Sequence, residues 1–297
     1  MTTKTKNTMM KMTTSNPHPP THPGDYSVSR IGTLALEAML VEVSVTPKPG
    51  LVDRNNSGAH RDMGFFTFIR SAASLRKYFE EFANIGRSNH TDKIFPLIRK
   101  CGIEAEKEMF KATQGINTHK GEIFSLGVLS AAAGHLEENI TGEKILSLAG
   151  EICAGLCEMD FAGVHDKAQL TKGERVYIEH GITGIRGEAE AGYPVIRDVA
   201  LPAFKQYLAK GLSLNDALAF TLIHIIANSY DTNIISRHDL NTAKRVMTLA
   251  QNMLASDLSL EKIYELDQKF IDAYISPGGS GDLLAVTYFI YCLDNLQ

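Results

Sequence analysis

Five stretches of this 297-residue chain concentrate side chains able to hold phosphate, move protons or ligate a metal. The first, TPKPGLVDRNNSGAHRDMG (46–64), sets Lys48, Arg54, His60 and Arg61 around Asp53 and Asp62, on a backbone that two prolines and three glycines keep irregular. Arginine and lysine at that density suit a polyphosphate, arginine by bidentate contact and lysine as a point charge. A solvated connection is the alternative for any single residue, but the run is longer than ordinary helix–helix connections. In the second, GINTHKGEIFSLG (115–127), Asn117 or Thr118 is placed to cap a helix whose first turn holds Lys120, Gly121 and Glu122. A helix N-terminus beside a lysine draws phosphate. His119 and Glu122 share a helical face, where they could serve a metal or a proton; a cap with a first-turn glutamate explains them as well.

The third stretch, HGITGIRGEAEAGYP (180–194), has four glycines that let a ligand approach the backbone closely, with Arg186 and Glu188 at its centre. In a helix Glu188 and Glu190 would point to nearly opposite sides, and Glu188, beside Arg186 and Gly187, is the one expected to face a ligand. The fourth, NSYDTNIISRHD (228–239), offers Asp231 and Asn233, oxygen ligands of the kind Mg²⁺ accepts, and Arg237 and His238 as phosphate donors. Asp239 reads first as the N-cap of the next helix. The fifth, SPGGSGDLLAVTYF (276–289), is a turn whose Gly278, Gly279 and Gly281 could cradle a phosphate with backbone N–H groups. It lacks the Lys-Ser/Thr pair of a P-loop. Asp282 follows, either as a helix-dipole partner or as a metal ligand.

The elements that must position these groups are helical. Ile31, Leu34, Leu36, Met39, Leu40 and Val43 make an apolar stripe that Pro47 and Pro49 terminate, and Phe65 to Phe82 continue the period in a second helix. Further helices are expected near 92–113, 121–135, 143–157, 194–209, 214–228, 240–255, 259–273 and 281–295. Ser213 with Asp216 and Thr171 with Glu174 fit the capping-box spacing. Alternating strand-like runs are nearly absent. The expectation is therefore an all-α fold, one multi-helix bundle whose polar, Gly-rich loops form a single active-site cleft. Residues 1–25, rich in Thr, Asn, Pro and Lys, read as a disordered tail ahead of a single catalytic domain over 26–297.

Composition narrows the functions open to it. A net charge of −4 gives no bulk electrostatic signal for nucleic acid or membrane. No apolar run is long enough to span a bilayer, and the N-terminus has no apolar core of a secretory signal, so the expected compartment is the cytoplasm. Cys101, Cys153, Cys157 and Cys292 are too few for a disulfide framework, and Cys153 and Cys157, one helical turn apart, lack the CxxC spacing and nearby histidines of a zinc site.

In this order, TPKPGLVDRNNSGAH, NTHKGEIFSLG, HGITGIRGEAEAGYP, DTNIISRHD and SPGGSGDLLA resemble the triphosphoribosyl-dephospho-CoA synthase family, which serves citrate lyase and, in a related branch, malonate decarboxylase. The resemblance spans roughly residues 30–295. It implies transfer of the 5-triphosphoribosyl group of ATP to the 2′-hydroxyl of 3′-dephospho-CoA with release of adenine, forming the precursor that a separate transferase loads onto the acyl carrier subunit. For that chemistry Glu188 first, and Asp231 second, are the carboxylates expected to deprotonate the hydroxyl or stabilise the cationic ribose. The triphosphate would be held by Lys48, Arg54, His119, Lys120, Arg186, Arg237 and the glycines 278, 279 and 281, with Mg²⁺ on Asp53, Glu122, Asp231 and Asp282. Two hydrolase readings compete. One is an HD-type phosphohydrolase using His165–Asp166, His238–Asp239 and His135; the other is an ADP-ribosyl-glycohydrolase-like magnesium enzyme.

Overall fold

The computed structural model describes residues 24–137 and 140–296, and among these the chain forms fourteen α-helices, a 3-10 turn, a π-helical turn and no strand. The expected tail lies outside the described residues except for Gly24 and Asp25. In chain order the helices begin with α1 (Val28–Ser44), α2 (Phe65–Ser88), α3 (Thr91–Ala112), α4 (Lys120–His135), α5 (Gly142–Ile152), α6 (Leu156–Phe161) and α7 (Lys172–His180). They continue with α8 (Ile185–Glu190), α9 (Leu201–Ala209), α10 (Leu214–Asn228), α11 (Thr232–Arg237), α12 (Leu240–Leu254), α13 (Leu260–Asp272) and α14 (Gly278–Asp294). None is long and apolar enough to cross a membrane.

Three helices, α4, α10 and α14, carry apolar or small residues on nearly every face, and they are the ones enclosed by the others. α2, α12 and α13 are amphipathic and present a single apolar stripe to that interior. Close approach depends on small residues. A Cβ at Gly86 would collide with the Ala131 carbonyl and one at Gly134 with the Ala83 carbonyl, so α2 and α4 touch backbone to backbone. α1 packs against α2 and α14, joining the two ends of the chain.

Local signals account for most helix starts. Thr171 Oγ1 accepts from Glu174 N, and Glu174 Oε2 accepts from Thr171 N at 2.7 Å, a reciprocal capping box. Ser213 Oγ accepts from Asp216 N, and Asp239 Oδ1 from Thr242 N at 2.6 Å. Other expectations need correction. The helix expected over 143–157 is cut at Gly155, whose φ of 75° is left-handed, into α5 and α6. The helix expected from 194 opens with the π-helical turn Ile196–Ala200. Short helices, α8 and α11, occupy stretches whose polar and glycine content reads as loop. The residue preceding α4 is His119, with Asn117 Oδ1 accepting from Lys120 N at 3.3 Å.

Candidate active site

All five polar stretches contribute to one cavity of about 770 Å³. Its inner wall is acidic. Glu42 from α1, Glu122 from the first turn of α4, Asp282 from the first turn of α14 and Asp231 ahead of α11 line it together with Lys48. Glu42, Lys48, Glu122 and Asp231 are buried, and the Lys48 ammonium donates to Glu42 Oε1 at 2.5 Å. A Cβ at Gly121 would run into the Asp282 carboxylate, so glycine there lets the starts of α4 and α14 meet. Burial pushes the Glu42, Glu122 and Asp282 carboxyls up. Glu42 and Asp282 raise Glu122 further, Asp231 and Glu42 do the same to Asp282, and Lys48 pulls Glu42 and Glu122 back down.

Two of these carboxylates are incompletely satisfied. Glu42 Oε2 and Glu122 Oε2 are buried without a hydrogen-bond partner, in residues that line the same cavity. Orphaned carboxylate oxygens are costly unless something meets them. Among the described residues no three His, Cys, Asp or Glu side chains are grouped tightly enough to hold a metal by themselves. The donor set fits a hard cation that takes one or two carboxylates and completes its shell with water and phosphate oxygens, as Mg²⁺ does.

Asp231 lines the cavity, but its oxygens are occupied. Oδ1 accepts from Asn233 N (2.9 Å) and Ile234 N (3.4 Å), capping α11, and Oδ2 accepts from Ser280 N (2.8 Å) and Ser280 Oγ (3.0 Å) in the first turn of α14. The carboxylate thus staples two helix starts together. Glu188, in the first turn of α8, also lines the cavity and accepts from Val195 N at 3.3 Å through Oε2. Burial raises its carboxyl, moderated by that bond and by the charge of Arg197. Glu190 points away and caps α6 through Gly155 N and Cys157 N.

The cationic groups are held by specific partners. Arg186 Nε donates to Asp160 Oδ2 at 2.6 Å and its guanidinium lies over the Phe161 ring. Asp160 Oδ1 accepts from Arg99 at 2.5 Å, so one carboxylate clamps both arginines. Arg237 Nη2 donates to His60 Nδ1 at 3.3 Å, which leaves the ring proton on Nε2 to donate to Ser276 Oγ at 2.9 Å. Burial and the Arg237 charge push His60 down to about 4, and it is neutral in that arrangement. Lys120 pairs with Glu106 at 2.9 Å at the rim. Gly278, Gly279 and Gly281 open α14 beside Asn233, Asp231 and Glu42 respectively.

Three expected site residues do not reach the cavity. Arg54 donates to the Ser44 carbonyl at 3.0 Å and lines a separate depression beside Leu40 and Leu214. The cause is the turn at Asp53, whose Oδ1 accepts from Asn55 N and Asn56 N and sends the next residue to the opposite side. Asp53 itself is buried behind the lining residues. His119 is fully buried, its Nδ1 2.6 Å from Ser71 Oγ and Phe68 edge-on to its ring. Burial and nearby Lys48 push it down to about 3, so it is neutral. The hydrolase histidines stand apart as well. His135 meets the Gly86 carbonyl, His238 the Tyr274 carbonyl, His165 lies in the 3-10 turn, and none lines the cavity.

Sequence reasoning missed Glu42 and Lys172, which both line the cavity. Glu42 left a signal. It lies seven residues after Ala35 and four after Ala38, on the buried face of α1, where an unpaired charge is not tolerated. Lys172 opens α7 outside the five stretches and carried none.

Fold and site together define an all-helical protein with an acidic, polar cleft able to hold a cation and a polyphosphate side by side. The family model for ATP:dephospho-CoA triphosphoribosyl transferases (CitG) matches residues 28–297, and the chain belongs to that family. A Vibrio cholerae protein named a probable 2-(5''-triphosphoribosyl)-3'-dephosphocoenzyme-A synthase is 42% identical over 277 residues, covering 90% of this chain and 88% of its own. The Streptococcus mutans protein of that name is 37% identical over 291 residues, 91% of this chain and 98% of its own. The crystal structure of a protein named "putative triphosphoribosyl-dephospho-coA synthase" from Archaeoglobus fulgidus aligns with a TM-score of 0.53 over 77% of this chain and 100% of its own. At 16% identity that likeness shows a shared fold.

Proposed function

We propose that this enzyme transfers the 5-triphosphoribosyl group of ATP to the 2′-hydroxyl of 3′-dephospho-CoA, releasing adenine, with Mg²⁺ held at the Glu42, Glu122 and Asp282 end of the cavity. The observation that carries the metal is the charge balance of that wall. Glu42, Glu122, Asp231 and Asp282 face a single buried lysine, Lys48, and a triphosphate cannot enter such a wall without a further cation. Bound there, Mg²⁺ neutralises phosphate charge. Lys120, Arg186 and Arg237 take the remaining phosphate oxygens, and the glycines opening α14 allow close backbone approach.

Attack at C1′ of the ATP ribose passes through an oxocarbenium-like state, as in glycoside hydrolysis. As the C1′–O bond forms and the C1′–N9 bond breaks, Glu188 accepts the proton of the attacking hydroxyl and faces the developing positive charge, and the departing adenine takes up a proton from water. Burial raises the Glu188 carboxyl, which makes it a stronger base than a solvated carboxylate. Asp231 positions rather than reacts, because each of its oxygens already accepts two hydrogen bonds. The product is handed to the transferase that loads an acyl carrier subunit. The four cysteines are free, in keeping with the reducing cytoplasm.

The test is where ATP is cut. ATP, Mg²⁺ and dephospho-CoA should yield adenine in step with loss of dephospho-CoA, with no ADP, AMP, phosphate or pyrophosphate. Adenine formed equally fast without the acceptor would make the enzyme a glycohydrolase, and phosphate or pyrophosphate a phosphohydrolase; either result sinks the assignment.

A further inference from the structure

Of the cavity-lining residues only Phe68 and Tyr230 carry a phenyl or phenol ring. Phe68 packs edge-on against His119. Among the described residues Tyr230 makes no aromatic or cation–π contact, and it is 44% exposed although it stands in the wall of a cleft. Its backbone is nonetheless fixed on both sides. Ser229 Oγ donates to the Ile225 carbonyl at 2.9 Å, and Asp231 caps α11 and reaches Ser280. The segment beneath is held as well: a Cβ at Gly184 would stand 2.9 Å from Thr232 Cγ2, so the start of α8 lies against α11. α7 also packs on α11 and brings Lys172, exposed and without an ion pair among the described residues, to the same cavity. An aromatic ring left bare on a pinned backbone, with a free ammonium in the same wall, is the arrangement that receives a nucleotide, the base on the ring and a phosphate on the lysine.

We propose that Tyr230 and Lys172 form the subsite for the adenosine diphosphate part of the acceptor, Tyr230 stacking its adenine and Lys172 holding its diphosphate. The inference rests on the transferase reading above. Two observations separate this subsite from that of ATP. The orphaned carboxylate oxygens that call for a cation belong to Glu42 and Glu122, beside Asp282, and the triphosphate goes with them. Tyr230 and Lys172 are both exposed, so a ligand there has its far end in solvent. Only the acceptor, with its long pantetheine arm, needs such an exit.

The chain contains no tryptophan, so Tyr230→Trp installs a single emitter at the subsite. Dephospho-CoA, and ADP as its fragment, should quench that emission saturably without ATP present, while 4′-phosphopantetheine should not. Tyr230→Ala should raise KM for dephospho-CoA by about tenfold, the scale of one base–aromatic stack, with KM for ATP within about twofold. Tyr230→Phe should restore the wild-type value, and the thermal midpoints of all three variants should agree. Lys172→Met should raise the same KM and leave that for ATP alone. Quenching by ATP–Mg²⁺ in place of dephospho-CoA overturns the assignment to the acceptor. Quenching by neither, while wild-type enzyme still releases adenine with dephospho-CoA, overturns the subsite altogether. Wild-type enzyme that releases no adenine refutes the transferase reading instead.

Discussion

Lys48→Met removes the one buried cation from a wall of carboxylates while keeping most of its volume. Lys48 is 1% exposed and donates to Glu42 at 2.5 Å, and Glu42 is 4% exposed. Breaking a buried pair by deleting one partner costs about 3–5 kcal/mol, because the other charge stays buried and uncompensated. At roughly 2 °C per kcal/mol for a chain of this size, the thermal midpoint should fall by about 6–10 °C at pH 8. The loss should depend on pH with a definite sign. Burial raises the folded-state carboxyls of Glu42 and Glu122, and Lys48 opposes that rise, so its removal lifts both further. A carboxyl with a raised folded value contributes its stability fully below its ordinary value near 4.5 and loses it as pH climbs through the folded one. The deficit of the variant should therefore shrink from pH 8 to pH 5.5. Glu42→Gln with Lys48→Met leaves neither charge and should recover most of the loss at pH 8. Melting curves of wild type, single and double variants at both pH values decide the matter. A deficit equal at both pH values, or a double variant no better than Lys48→Met, would mean that lost packing and not charge sets the cost.

Three further outcomes follow from the same geometry. Glu188→Gln should cut the rate of adenine release about a hundredfold or more with KM for ATP little changed, the mark of a group that acts in the transition state; steady-state kinetics suffice. Asp231→Ala breaks the cap of α11 and the tie to α14 together and should cost about 2–4 kcal/mol in urea unfolding, whereas Asp231→Asn should retain part of it. Asp160→Asn weakens the clamp on Arg186 and should raise a substrate KM by about three- to tenfold with kcat nearly unchanged, while a loss confined to thermal stability would deny Arg186 a substrate contact.

The helical architecture was legible because its signals are local. All-round apolar α4 and α10 and the Thr171 capping box each follow from residues within a turn or two of one another. The site was legible as segments but not as contacts. Nothing near Asp231 announces that Ser280 arrives from 49 positions away to take its second oxygen, so a capping carboxylate looked like a metal ligand. Lys48 was expected to meet phosphate, yet its partner, Glu42, sits in an apolar stripe where a period reading passes over a single charge. Arg54 failed for a similar reason: composition shows which groups a loop carries, while the turn at Asp53 decides the side to which each goes.

The stretch carrying Lys48 is fastened by residues more than two hundred positions downstream. Gly50 N donates to Asp267 Oδ1 at 2.9 Å, the Asn56 amide to Asp267 Oδ2 at 3.0 Å, and His60 meets Ser276. Asp282 completes the wall from α14, and Ser280 beside it holds Asp231. During synthesis, then, α1 and the Lys48 stretch leave the ribosome long before the groups that hold them in place. The cleft is therefore incomplete until α14 is in place. A chain that stops anywhere before α14 lacks Asp282 and the Ser280 tie to Asp231, so it has neither the acidic wall nor the brace of α11.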